Sequence, residues 1–139
     1  MGDLLVKKNN YKELDNLNPV ACSYGLKDSI ILLIHENDKC RFFNIYDSIN
    51  KYNFDLVIKY LIKNKNVIDV DIFVNDDIDS MKLSFIKFLI NRIGCNYRIN
   101  NLYKFDNIES LGYNYNLNEY YSVNIIDNVL TFRKKKVSF

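Results

Sequence analysis

The sequence predicts an α/β fold: a single domain with a mixed, twisted sheet of four to five strands, two main helices and a C-terminal hairpin. Three observations carry this expectation. The stretch from Asn66 to Asn101 reads as strand, helix, strand, with Val67–Val74 β-branched, Ser80–Ile93 apolar at helical spacing, and Cys95–Ile99 alternating. Ser29–His35 is an unbroken apolar run, the pattern of a strand covered on both faces. The length of 139 residues and an apolar content of 48% suit one domain with its own core and exclude a disordered chain.

Taken in order, residues 1–19 are polar and hold the only proline, so they read as an N-terminal arm or a marginal helix. Val20–Tyr24 fits an edge strand that Gly25 ends. Ser29–His35 and Cys40–Tyr46, joined by the turn-forming Glu36-Asn37-Asp38-Lys39, form an antiparallel hairpin. Phe54, Val57, Ile58, Leu61 and Ile62 give the first helix its apolar face, with Asp47, Ser48 and Asn53 as alternative caps.

In the second helix the apolar positions sweep an arc of roughly 220° at 100° per residue, which predicts burial of Phe85, Phe88 and Leu89 and leaves Ser84, Lys87 and Asn91 in water. Asp77 or Asp79 caps its start, and Gly94 supplies a left-handed C-cap. The close succession of strand, helix and strand implies a right-handed parallel crossover. Beyond Ile99, Leu102, Tyr103 and Phe105 are able to extend the strand, and Gly112-Tyr113-Asn114-Tyr115-Asn116 has the composition of a loop. Tyr121–Ile126 and Val129–Arg133 flank Asp127-Asn128 as a final hairpin, leaving residues 133–139 as a basic tail.

The net charge of +2 argues against a protein that grips nucleic acid through its whole surface. Charge is nevertheless concentrated in two places: Asp69, Asp71, Asp76, Asp77 and Asp79 near the centre, and Arg133, Lys134, Lys135 and Lys136 at the end. Asp69 and Asp71 share a strand face, and the other three follow its carboxyl end, where open α/β sheets bind ligands. With Glu36 they faintly resemble the acidic set of the Toprim fold of primases and topoisomerases, although Asn75 stands in the first acidic position. A capped helix start with solvated carboxylates explains the same residues more simply, so no metal and no cofactor is expected. His35, the sole histidine, has no nucleophile or acid marked out by spacing and reads as a core-edge residue.

Three cysteines at 22, 40 and 95 lack disulfide or metal spacing, which fits an intracellular, reducing compartment such as the cytoplasm, a mitochondrion or another organelle. No signal peptide or long apolar run is present, so a soluble protein without a membrane role is expected. Abundant Asn, Ile, Lys and Tyr point to an AT-rich genome.

Leu32-Leu33-Ile34-His35 through Asp47, then Asp69–Val74, the Ser80–Ile93 helix and Asn96-Tyr97-Arg98-Ile99, and finally Arg133–Lys136 resemble the first hairpin, second crossover and basic end of the ribosomal small-subunit protein eleven family. The likeness covers Leu32 to Ile99 plus the tail. Asn37-Asp38-Lys39-Cys40 replaces that family's Asn-Asn-Thr turn, and the acidic Asn75–Asp79 its glycine-rich loop, so the chain resembles a divergent, organelle-type member. The resemblance implies a non-catalytic RNA-binding structural component of a ribonucleoprotein, not an enzyme, with RNA (rRNA in that family) and neighbouring assembly proteins as partners and no small-molecule substrate. Arg133, Lys134, Lys135 and Lys136 are the expected phosphate contacts, with Arg98, Lys7 and Lys8 beside them. The alternatives are a viral or mobile-element accessory protein acting by protein–protein binding and, third, a degenerate Toprim-like metal-dependent nuclease.

Overall fold

The computed structural model describes residues 4–26, 29–46, 67–75, 80–102, 110–126 and 129–137. The expected first helix, the caps at Asp77 and Asp79, the extension through Tyr103 and Phe105, and the turn at Asp127-Asn128 lie outside these residues.

Strand by strand, the central part follows the hydrophobic pattern. β3 (Ser29–His35) and β4 (Cys40–Tyr46) pair antiparallel, with Ser29 opposite Tyr46 and His35 opposite Cys40. β5 (Asp69–Val74) runs antiparallel to β3 and parallel to β6 (Asn96–Asn101), and α1 (Ser80–Ile93) makes the crossover between the two parallel strands. Gly94 closes α1 at φ 87°, its amide donating to the carbonyls of Ile90 (3.2 Å) and Asn91 (3.1 Å).

The amino-terminal arm departs from expectation. Asn10–Leu14 forms β1, which pairs antiparallel with β4 from Asn10 opposite Asn44 to Leu14 opposite Cys40. Its sequence is too polar to announce a strand, but β4 presents an unpaired edge, and each backbone group satisfied there compensates for weak propensity. The sequence does not announce a second sheet either. β2 (Val20–Tyr24), β7 (Ser110–Asn114), β8 (Glu119–Ile126) and β9 (Val129–Val137) are joined in that order, each pair antiparallel. Gly112-Tyr113-Asn114 therefore belongs to a strand, and only the segment from Tyr115 to Asn118 turns. Among the described residues the architecture is a five-stranded mixed sheet ordered β1-β4-β3-β5-β6, a four-stranded sheet ordered β2-β7-β8-β9, and one helix.

Alternation along β3 sorts the core into two layers. Ile30, Leu32 and Ile34 join Phe43, Ile45, Val70, Ile72 and Val74 beneath Ile86 and Ile90 of α1. Ile31 and Leu33 point the other way, to a cluster with Phe42, Phe73, Leu14 and Ala21, Leu111 and Tyr113 of the second sheet. The expected burial of Phe85 and Phe88 is overturned: α1 contacts the sheet through Ile86 and Ile90, while Phe88 is 58% and Met81 80% exposed. The apolar arc of the helix is wider than the stripe one sheet can cover. Phe85 is also exposed. No described helix is long and apolar enough to cross a membrane.

The two edges of the second sheet are finished differently. Beside β2, Leu5 bridges to Cys22, with the Val6 amide on the Cys22 carbonyl and the Cys22 amide on the Leu4 carbonyl, both at 2.8 Å. At the other edge, β9 pairs with β8 as Phe132 opposite Val123 and Lys136 opposite Tyr121, so Arg133, Lys134 and Lys135 face Ser122 alone across a break in register.

Candidate functional site: a cleft between the two sheets

The inner face of the five-stranded sheet changes character along its length. On β3 the row Ile31, Leu33 ends in His35; on β5 the row Phe73, Asp71, Asp69 runs from apolar to acidic; on β6 the same face carries Asn100 and Arg98. Where these polar side chains replace apolar fill, the sheets enclose a cleft of about 940 Å³. Its opposite wall is the turn and strand starts of the second sheet, with Tyr113, Tyr115, Asn116, Asn118, Glu119 and Tyr120. Asn16 completes the rim, and its carbonyl accepts a bond from the Asn116 amide at 3.2 Å.

Asp71 is the hub. Arg98 donates to it through Nε (2.7 Å, to Oδ1) and Nη2 (3.0 Å, to Oδ2), and His35 Nε2 lies 2.8 Å from Oδ2. Burial pushes the Asp71 carboxyl up, but the bonds from His35 and Arg98 outweigh it and hold the group below the usual carboxylate range. The same bond with Asp71 raises the Arg98 guanidinium, which stays charged. Register explains the meeting: Asp71 is opposite Arg98 in the parallel pair, and His35 is opposite Asp69 in the antiparallel one. Asp69 is more open, touching Arg98 Nη1 only at 3.5 Å.

The floor is aromatic. Tyr113 and Tyr120 have ring centroids 4.9 Å apart, Tyr120 rests 5.2 Å from Phe73, and His35 meets Tyr113 edge-on at 6.4 Å. The Tyr113 hydroxyl donates to Asn118 Oδ1 at 2.9 Å, which fixes the turn, where Asn118 has φ 49°. Burial raises both Tyr113 and Tyr120, so their phenols stay protonated at neutral pH.

The cleft opens at the amino end of β5, opposite the end to which Asp76, Asp77 and Asp79 belong; those three lie outside the described residues. His35, Asp69 and Asp71 place one ligand atom each within 4.8 Å of one another, the metal-capable group among the described residues. A divalent ion there must displace the Arg98 guanidinium, which already neutralises Asp71. Glu36 is engaged elsewhere, by Arg41 at 2.7 Å and Lys39 at 3.5 Å.

Of the basic residues singled out from sequence, Arg98 enters the cleft with its charge turned to carboxylates. Lys7 and Lys8 are exposed just before β1, at the far edge of the same sheet, with the Lys8 ammonium 4.0 Å over the Tyr46 ring. Arg133–Lys136 belong to β9 and are not a free tail. Sequence reasoning missed Tyr113, Tyr115, Tyr120 and Asn100 as site residues, and it gave His35 no partner. The usable signal was Asp69 and Asp71 on one face of a strand whose other face, Val70, Ile72 and Val74, is wholly apolar. Two carboxylates so placed need a cation from the next strand.

No protein-family model matches this chain, and a search of curated proteins finds no match to it.

Proposed function

We propose that this protein is an RNA-binding component of a ribonucleoprotein assembly and that it holds single-stranded RNA with one unstacked base seated in the cleft. The observation that carries the reading is a register. Tyr120 of β8, which lines the cleft, lies opposite Val137, and the adjoining Tyr121 lies opposite Lys136, so along β9 the densest cationic run of the chain stops one residue short of the backbone partner of the aromatic floor. A basic track leading to stacking side chains is what unpaired RNA needs, with phosphates held outside and a base taken in. The charge within the cleft agrees with this division of labour. Asp69, Asp71 and Glu119 outnumber Arg98, which disfavours a phosphate inside and admits a neutral base. Assignment to a ribosome-type particle rests on the resemblance of Leu32–Ile99 and of the basic end Arg133–Lys136.

The test is fluorescence anisotropy with a labelled single-stranded RNA and with a duplex of the same length, over a salt series. Replacing Arg133, Lys134 and Lys135 together with Gln keeps the strand and should flatten the slope of log K against log salt by up to about three units. Tyr115→Ala should weaken single-stranded binding and leave that slope unchanged. Absence of binding at low salt, or equal binding to the duplex that ignores Tyr115, overturns the reading.

A second reading, an accessory domain acting through protein contact, draws on the exposed Met81 and Phe88 along α1. It predicts partner affinity nearly independent of salt.

A further inference from the structure

Resting on the RNA reading just given, we infer that the cleft selects guanine and that Asp69 is the residue that reads it. The argument begins with what the cleft leaves available. Asp71 is saturated by its bonds from Arg98 and His35. Asp69 faces the same space, its side chain is 27% exposed, and its contact among the described residues is the 3.5 Å approach of Arg98 Nη1 to Oδ2. A carboxylate held by no more than such a long ion pair accepts best from two adjacent, parallel N–H groups on a rigid planar partner.

Among the four RNA bases only guanine offers that pattern, through N1–H and N2–H on its Watson–Crick edge. Adenine and cytosine each set a donor beside a ring acceptor, and uracil sets one donor between two acceptors; each therefore brings a lone pair against the carboxylate. The rest of the wall completes the match. Arg98 remains 57% exposed after chelating Asp71, and its unused N–H groups suit the guanine O6. Tyr115 supplies a ring for stacking. Such a site needs no phosphate inside, in keeping with its excess of carboxylates.

Seven-nucleotide RNAs of uridine with a single central guanosine, adenosine, cytidine or inosine test the assignment against the all-uridine strand. The guanosine strand should bind about tenfold or more tightly than the others, the discrimination expected of a bidentate contact. Inosine, which lacks the N2 amine, should lose about tenfold against guanosine with the wild-type protein, a readout independent of any mutant's folding. Asp69→Asn should erase the preference for guanosine over adenosine. Tight binding of all strands with no difference among them refutes guanine selection while the RNA reading stands. Failure of every strand to bind overturns both.

Discussion

Replacing Asp71 with Asn changes one charge and almost no volume, so no cavity obscures the result. The carboxylate accepts two bonds from Arg98 at 2.7 and 3.0 Å and faces His35 Nε2 at 2.8 Å. Hydrogen bonds to charged groups contribute about 1.5–3 kcal/mol each, but these share one acceptor and do not add. Arg98 is more than half exposed, so water recovers part of what the guanidinium loses. His35 is held more tightly and recovers less. The loss should come to about 3 kcal/mol, at the lower edge of the cost of breaking a fully buried pair.

Urea unfolding at pH 7 measures it. With a slope of about 2 kcal/mol per molar, the midpoint should fall by about 1.5 M and the slope should hold. Arg98→Ala combined with Asp71→Asn should cost clearly less than the sum of the two single changes. The pH dependence has a definite direction. The Asp71 carboxyl is held below its ordinary value in the folded state, so its stabilisation is fully present above the unfolded value and is lost as pH falls through the folded one. The gap between wild type and Asp71→Asn should close as pH falls below about 4. A loss under about 1 kcal/mol, strict additivity with Arg98→Ala, or a gap that widens below about pH 4 refutes the hub assigned to Asp71.

Other changes separate the two sides of α1 and probe its end. Ile90→Ala should cost about 2–4 kcal/mol because Ile90 is fully buried between helix and sheet, whereas Phe88→Ala should cost under about 1 kcal/mol; thermal or urea unfolding of both variants decides the matter. Gly94→Ala should cost about 1–2 kcal/mol, since φ 87° suits only glycine even though no atom lies within 4 Å of an added Cβ; a neutral result would show the C-cap relaxing. In the native protein Cys95 should be alkylated before Cys22 and Cys40. Burial pushes the Cys22 thiol up to about 11 and Cys40 higher still; mass spectrometry of timed iodoacetamide reactions checks the order, and early labelling of Cys40 would refute it.

What could be read in advance depended on where the information was stored. β3 is legible as an unbroken apolar run, β4 as its hairpin partner across a turn-forming sequence and α1 as apolar residues at helical spacing, and Gly94 marks a backbone conformation few residues share. β1 was not legible, since Asn10–Leu14 is a strand by virtue of β4's edge and not of its own residues. β7 was hidden for a related reason. Gly112 and Tyr113 have loop composition, yet they pair with Cys22 and Ala21 from the other end of the chain, and Tyr113 is buried only once the two sheets close. The cleft inherits that dependence. Asp69 and Asp71 were visible as neighbours on a face, but the tyrosines opposite them come from strands about 40 residues away or more. The width of the α1 apolar arc predicted burial for Phe88 that one sheet cannot provide.

Among the described residues the four-stranded sheet ends in β9, whose outer edge pairs with no described strand. An unguarded margin of that kind invites copies of a protein to zip together at high concentration. Here three cations fall where the ladder loses its spacing opposite Ser122, so a second β9 approaching this margin meets like charge and mismatched donors. The far margin is closed by the chain's own Leu4–Val6 laid along Cys22. Neutralising Arg133, Lys134 and Lys135 should therefore lower the concentration at which the protein stays monomeric, an outcome that light scattering reads directly. The stretch proposed to contact RNA is thus also the one whose charge should oppose pairing between copies.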